Sequence, residues 1–242
     1  MEIHNGDCLE KMKDISDNSI DLIFCDLPYG QTSCKWDTCI DLDIFWEQIK
    51  RIRKKGCPMF FTTTTKFGVN LINSNPKEFR YDLVWAKSQS VGFLQSGRMP
   101  MRKHEMVYVF YDKLPCYDLS SHIPTITKEE LRVTEAKQGG CYIRPKATIP
   151  KKYDPPLPTS LVEIKTSRGK HSTEKPVDLI NWILKYYSKE GDVVLDPTMG
   201  SGSTGIACNQ MKRKFIGIEY DRDIYLKAED RLKKEWGLKM TD

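Results

Sequence analysis

Short apolar runs alternate with stretches of helical period along most of this chain. Glu2-Ile3-His4-Asn5 reads as a short strand ending at Gly6-Asp7, and Cys8 to Ile15 is helix-like. A Ser-Asp-Asn turn then leads into the apolar strand Ile20 to Cys25. Residues 43 to 55 carry apolar side chains at 44, 45, 49 and 52 with basic residues between them, an amphipathic helix ended by Gly56. Pro58 to Thr65 is rich in strand formers, and a helix follows from Lys66 to Asn73. Two further strands, Asp82 to Lys87 and Glu105 to Tyr111, enclose a polar loop from Ser88 to Lys103. After an irregular stretch over 112–170, the pattern resumes with a helix over 176–188, its Pro176 in the first turn where proline is tolerated. A strand over 192–195, a glycine-rich loop, a helix from Ser203 to Met211, a strand from Lys214 to Glu219 and a helix from Asp223 to Trp236 complete the chain. Strands alternating with helices imply an α/β fold with a mainly parallel twisted sheet covered on both faces, and the pair 82–87 and 105–111 supplies an antiparallel edge.

At 242 residues the chain is long enough for one large α/β domain that buries its core without staples. No apolar run approaches a membrane span, and the N-terminus lacks a signal-peptide pattern. The eight cysteines are scattered, with no C-x-x-C pair, so free thiols in a reducing cytoplasm and no metal site are expected. The formal net charge of +5 hints at an anionic partner, and its placement says more. Between Leu131 and Lys175 ten Lys or Arg stand against four Asp or Glu, and prolines crowd the same region. By composition alone that segment is either a linker or a nucleic-acid-contacting insertion.

Candidate chemistry lies in two loops, each directly after an apolar run. Gly200-Ser201-Gly202-Ser203-Thr204-Gly205 matches the dinucleotide fingerprint, between a strand and a helix, with Glu219 at the end of the next strand. Two features point elsewhere. The residues Asp196-Pro197-Thr198-Met199 intervene before the first glycine, and Asp196 sits awkwardly near a pyrophosphate. No Lys-Ser or Lys-Thr follows the glycines, which excludes a P-loop. A phosphate-free cofactor with a cationic ammonium or sulfonium fits this loop better, and S-adenosylmethionine has that character. The glycines then admit its amino-acid end and Glu219 takes the ribose hydroxyls.

The other loop, Asp26-Leu27-Pro28-Tyr29, suits transfer of a methyl group to the exocyclic amine of a base. Such a nitrogen is a poor nucleophile because its lone pair is delocalised into the ring. Two acceptors that hold its hydrogens favour a pyramidal nitrogen, and the Asp26 carboxylate with the adjacent Leu27 carbonyl is such a pair. Pro28 stiffens the turn, and Tyr29 offers an aromatic face to a base extruded from the duplex. Alignment of acceptor, methyl and leaving sulfur supplies the rest of the rate.

With both loops in this order, the chain resembles the amino-methyltransferases of DNA that act on adenine N6 or cytosine N4. Asp26 to Tyr29 is similar to that family's Asp-Pro-Pro-Tyr loop, with Leu27 in place of the first proline, and Asp196 to Gly202 is similar to its cofactor loop. The catalytic loop preceding the cofactor loop resembles the family's permuted β arrangement. Asn5-Gly6-Asp7 resembles the acidic turn that meets the cofactor's adenine, and Phe215 to Glu219 the strand carrying the ribose-binding acid. His171-Ser172-Thr173-Glu174-Lys175-Pro176 resembles the segment that closes over the methionyl end. The resemblance implies a Rossmann-like methyltransferase fold as one permuted domain, with a catalytic half over 1–111, a target-recognition insertion over 112–170 and a cofactor half over 171–242. It implies S-adenosylmethionine bound by Asp7, Cys8, Asp26, His171, Thr173, Lys175, Pro176, Asp196, Pro197, Thr198, Gly200, Ser201, Gly202, Ser203, Glu219 and Tyr220. Catalysis falls to Asp26, Leu27, Pro28 and Tyr29.

Double-stranded DNA is the implied partner, with a homodimer and a cognate restriction endonuclease as further expectations. Arg98, Arg102, Lys103 and His104 flank a loop at the presumed active edge, and Arg144 and Lys146 lie in the basic insertion; these are the candidate DNA contacts. The basic residues of 50 to 55 read as the wet face of a helix, Trp46 as core, and Trp36 as either a closing loop or packing. The leading Asp favours adenine N6, where cytosine-N4 enzymes more often carry Ser. Cytosine-N4 methylation, an RNA or protein amine methyltransferase, and a DNA-binding protein without catalysis remain the alternatives.

Overall fold

The computed structural model describes residues 1–30, 39–125, 152–166 and 174–237. One sheet runs, edge to edge, through β1 (Glu2–Asn5), β10 (Lys214–Glu219), β9 (Val193–Asp196), β2 (Leu22–Cys25), β3 (Met59–Thr63), β5 (Arg102–Phe110), β4 (Phe79–Val91) and β8 (Leu161–Glu163). The first five are mutually parallel, β5 is antiparallel to both β3 and β4, and β8 returns parallel to β4. This is the mostly parallel, mixed sheet of a Rossmann-like fold.

The central strands β2 (LIFC) and β3 (MFFTT) are buried at every position, as strands covered on both faces must be. Successive side chains of a strand point to opposite faces. Phe60 packs on Tyr187 of α4 (Val177–Tyr187), while its neighbour Phe61 packs on Phe45 and Trp46 of α2 (Leu42–Ile52). These two helices therefore cover opposite faces. Asp41 caps α2 by accepting from the Asp43 and Ile44 N–H groups, and Phe45, Trp46, Ile49 and Ile52 form its buried stripe. Trp46 is core, 3% exposed, its indole N–H donating to Ser74 Oγ. Helix α3 (Thr65–Ser74) approaches β5 so closely that a Cβ at Gly68 would lie 2.1 Å from the Tyr108 ring.

Several boundaries differ from the sequence reading, for physical reasons. The helix expected over 43–55 stops at Ile52, because Arg53 turns inward to a bidentate ion pair with Glu78, at 2.6 and 2.9 Å. Arg53 is 7% exposed and does not belong to the wet face. Pro176 is the N-cap of α4, one residue before its first turn. The polar loop expected from Ser88 is shorter, since β4 runs on to Val91 and β5 starts at Arg102. The stretch 112–170 is not irregular throughout: Leu161–Glu163 forms β8, and the Trp85 indole N–H donates to the Ile164 carbonyl.

By compactness the chain divides into Met1–Tyr117 with Ser160–Asp242, and Asp118–Thr159. The smaller unit contains a two-stranded antiparallel ribbon, β6 (Ile123–Pro124) with β7 (Tyr153–Asp154). Among the described residues no helix is long and apolar enough to cross a membrane.

Candidate active site

From β9 the chain moves through α5 (Ser203–Gln210) to β10 on one side, and from β2 it moves through α2 to β3 on the other. Adjacent strands whose connections depart in opposite directions open a crevice at their carboxyl ends, where open α/β sheets bind ligands. Both candidate loops start there, because β2 ends at Cys25 and β9 ends at Asp196. They touch: Thr198 Oγ1 donates to the Asp26 carbonyl oxygen at 3.1 Å and lies 3.3 Å from Cys25 Sγ.

The Asp26 side chain is held from both ends. Oδ1 accepts from the Thr62 hydroxyl at 2.7 Å and from the Tyr29 hydroxyl at 2.5 Å; that phenol also lies 2.9 Å from the Thr62 carbonyl. Burial, with Asp26 adding to it, pushes the Tyr29 phenol far above its ordinary range, so it stays protonated. Its ring packs on Phe67, with centroids 5.3 Å apart. Oδ2 pairs with Lys175 Nζ at 2.5 Å. Burial pulls the Lys175 pKa down, but Asp26 and Glu105 outweigh it and the net direction is up, so the ammonium persists. Leu27 is 3% exposed, which anchors the loop in the core. The resemblance grouped Lys175 with the cofactor residues; in the structure its partners are Asp26 and Glu105.

On the neighbouring strand Asp196 is buried and accepts from the Thr198 N–H and the Thr204 hydroxyl. Burial, reinforced by the Asp26 and Glu219 charges and opposed by those two hydrogen bonds, lifts its pKa to about 7. Glu219 is also buried, its oxygens accepting from the N–H groups of Gly200 (3.0 Å) and Asp221 (2.8 Å). Each oxygen keeps a further lone pair for a ligand hydroxyl. Gly200 and Gly202 adopt φ of +51° and +81°; a Cβ at Gly200 would meet nothing within 4 Å, so the backbone faces open space there, whereas Gly202 lies against Leu232. Gly205 instead packs against Phe215 and Leu232, leaving no room for a side chain. The Glu174 side chain is buried, accepting from Ser203 Oγ and Arg231, whose guanidinium also donates to the Ser201 carbonyl.

Asp196 and Glu219 thus flank a glycine-rich loop that is open at Gly200, with the Asp26 charge close enough to raise the Asp196 pKa. That donor set suits a cationic ligand with a ribose and is unsuited to a phosphate. The residues present fit S-adenosylmethionine.

The other sequence candidates fall as follows. Asp7 is exposed and caps α1 (Cys8–Lys11) through the Leu9 N–H, while Cys8 is buried, its thiol pushed up to about 12 by burial and Asp7. This turn joins the site through Gly6 N–H and Asn5 Nδ2, both donating to the Glu219 carbonyl. Pro176 and Pro197 are buried and Tyr220 is 68% exposed. Arg98, Arg102, Lys103 and His104 are all exposed on the β4–β5 hairpin. Since β5 is antiparallel to β3, with Met106 opposite Thr63, this hairpin projects from the carboxyl side of the sheet, where the two loops open. His171, Thr173, Arg144, Lys146 and Trp36 lie outside the described residues. Sequence reasoning missed Thr62, Glu105, Lys87, Thr204 and Arg231. Of these only Thr62 had a signal, the run of four threonines closing an apolar strand.

An open α/β sheet with a carboxylate-proline-aromatic loop beside a phosphate-free cofactor loop defines a methyltransferase of amines. A family model described as DNA methylase, of the N6/N4 type, matches residues 20–230. The chain belongs to this family, whose members are DNA methyltransferases with S-adenosylmethionine as cofactor. It is 29% identical over 248 residues to the DNA adenine methyltransferase YhdJ of Escherichia coli, covering 93% of this chain and 80% of that protein. In fold it is similar to the S-adenosylmethionine complex of M1.HpyAVI, with TM-score 0.62, 19% identity, and 96% and 98% of the two chains covered. It is likewise similar to the cytosine-N4-specific PvuII DNA methyltransferase, with TM-score 0.68, 13% identity, and 97% and 90% covered.

Proposed function

We propose that this DNA methyltransferase acts on adenine N6 of a base flipped out of duplex DNA. The observation that carries the reading is the juxtaposition at the crevice: the Asp26 loop and the Asp196 loop joined by the Thr198 hydrogen bond. The Asp26 carboxylate and the Leu27 carbonyl accept the two hydrogens of the target amine and turn its lone pair out of the ring plane. Thr62 and Tyr29 fix the orientation of the carboxylate that does this. Tyr29 gives the base an aromatic neighbour, with Pro28 stiffening the turn between them. Asp196, Glu219 and the backbone of Gly200 to Gly202 hold S-adenosylmethionine, which supplies the electrophilic methyl. Asp7, Cys8, His171, Thr173, Pro176, Pro197, Ser201, Ser203 and Tyr220 complete that pocket, with Lys175 at its border on Asp26.

Adenine is favoured over cytosine because the acceptor loop leads with Asp. Arg98, Arg102, Lys103 and His104 meet the duplex near the site, and the segment over 112–170, with Arg144 and Lys146, reads the target sequence. A second copy of the chain and a cognate restriction endonuclease are the proposed protein partners. Methylated duplex DNA digested to nucleosides and resolved by mass spectrometry decides the base: N6-methyladenine is expected, and N4-methylcytosine alone would transfer the reading to the cytosine alternative.

A further inference from the structure

The carboxylate that this mechanism needs as an acceptor is already engaged. Asp26 receives Thr62 and Tyr29 on Oδ1, and Lys175 at 2.5 Å on Oδ2. A carboxylate has about four lone-pair sites, so three donors leave one. An ammonium at contact in a low-dielectric pocket weakens that one as an acceptor. Lys175 is therefore a competitor for the group that must grip the target amine.

The structure provides a second berth for it. Glu105 Oε2 lies 3.7 Å from Lys175 Nζ, beyond hydrogen-bond distance. It is buried and has no hydrogen-bond partner among the described residues. Buried carboxylate oxygens are rarely left in that state. The other oxygen of Glu105 is bound by Lys87, whose ammonium sits 5.0 Å from the Trp85 ring centroid. Glu105 and Lys87 stand on the paired strands β5 and β4, so the sheet, not a loop, fixes this vacant acceptor beside the Lys175–Asp26 pair.

We propose that Lys175 is an exchangeable counter-ion, resting on Asp26 while the target pocket is empty and moving onto Glu105 Oε2 when the target amine enters. Glu105, anchored by Lys87, is then a positioning residue that frees Asp26 for the base. The movement closes 3.7 Å to an ordinary charge-assisted distance of about 2.8 Å. The ammonium keeps its protons, and the cluster keeps its total charge. The half-buried Asp26 carboxylate thereby keeps a counter-ion until a base arrives, and a base that cannot supply an amine hydrogen to Asp26 cannot displace the lysine.

This inference rests on Asp26 as the amine acceptor, and the experiment separates the two. Methyl transfer from labelled S-adenosylmethionine to unmethylated duplex DNA is followed in single turnover at saturating DNA. Glu105→Gln is expected to slow it about tenfold, or about 1.4 kcal/mol of barrier, measured well below the variant's unfolding transition, while cofactor affinity by calorimetry stays unchanged. Glu105→Asp restores part of the rate. In a Lys175→Met background Glu105→Gln has no further effect, because no ammonium needs a berth. Lys87→Met, which touches neither Asp26 nor Lys175, slows the step in the same direction and is read even where Lys175→Met is too slow to resolve. Undiminished turnover in Glu105→Gln or Lys87→Met overturns the exchange, as does an equal effect of Glu105→Gln in both lysine backgrounds. An Asp26→Asn variant that methylates DNA as fast as the unaltered protein overturns instead the acceptor assignment beneath it.

Discussion

At Asp26 one carboxylate collects a threonine, a tyrosine and a lysine from three separate parts of the chain. Replacing it with alanine removes the acceptor while leaving Asp196 and Glu219 in place. Asp26→Ala is expected to lower methyl transfer by at least about a hundredfold, in the range for losing one preorganised electrostatic group, with cofactor affinity changed little; titration calorimetry beside a turnover assay reads both. Asp196 carries a pH dependence of definite sign. In the unfolded chain its carboxyl ionises at about 3.9, whereas in the fold burial lifts it to about 7. Its contribution to stability is therefore complete below about pH 4 and is lost as pH rises through 7. A cationic ligand favours the ionised form, so cofactor binding should release a proton near pH 6 and tighten as pH climbs through 7. Calorimetry in buffers of different ionisation enthalpy measures that proton, and Asp196→Asn should abolish it. The carboxylates themselves were legible in the sequence, because each follows an apolar strand and sits in a local motif. Their partners were not. Thr204, Glu105 and Lys87 reach the site through strand pairing and helix packing that no local pattern encodes, and only Thr62 had a local signal, in the run of four threonines.

At the scale of elements, the strand Lys214–Glu219 was legible residue for residue, since its apolar run is bounded by a turn and an acidic end. Other boundaries moved where tertiary contacts override propensity. Strand β8 is three residues long and has no periodicity of its own; it exists because β4 offers it a free edge and Trp85 a donor. Helix α2 stops early because the Arg53 backbone turns extended, its N–H still donating to the Ile49 carbonyl, while its side chain reaches inward to Glu78. The pair is nearly sequestered from water, with the two side chains 8% and 14% exposed, and the Arg53 hydrogen bonds hold the Glu78 pKa down against the effect of burial. Removing one member strands the other. Glu78→Ala is expected to cost about 3–5 kcal/mol, seen as a lower urea midpoint with an unchanged slope. Because Glu78 pairs far from the crevice loops, cofactor affinity measured well below the unfolding transition should not change. A loss of affinity without loss of stability would mean that α2 shapes the pocket directly.

For the whole molecule, the order of the two loops along the chain and their meeting at one crevice were legible, because the alternation of strand and helix leaves few topologies open. How the basic residues divide between phosphate contact and base reading was not, since composition carries no direction. The topology supplies that direction for the β4–β5 hairpin. Its exposed tip carries Arg98, Arg102 and Lys103, its sequence from Ser88 to His104 contains no acidic residue, and it projects on the side where the loops open. Cations on such a surface meet phosphates before bases, and phosphate contact releases counterions without regard to sequence. Each contact contributes about 0.9 to the slope of log affinity against log salt, so replacing Arg98, Arg102 and Lys103 together with alanine should flatten that slope by about 2 to 3. The same variant should weaken methylated and unmethylated, cognate and non-cognate duplexes by similar factors, leaving the pattern of methylated positions unchanged. Filter binding across a salt series gives the slope, and sequencing of DNA modified by the variant gives the pattern. An unaltered slope with a changed pattern would move these residues from phosphate contact to base recognition. It would also remove the grounds for assigning target reading to the segment over 112–170 alone.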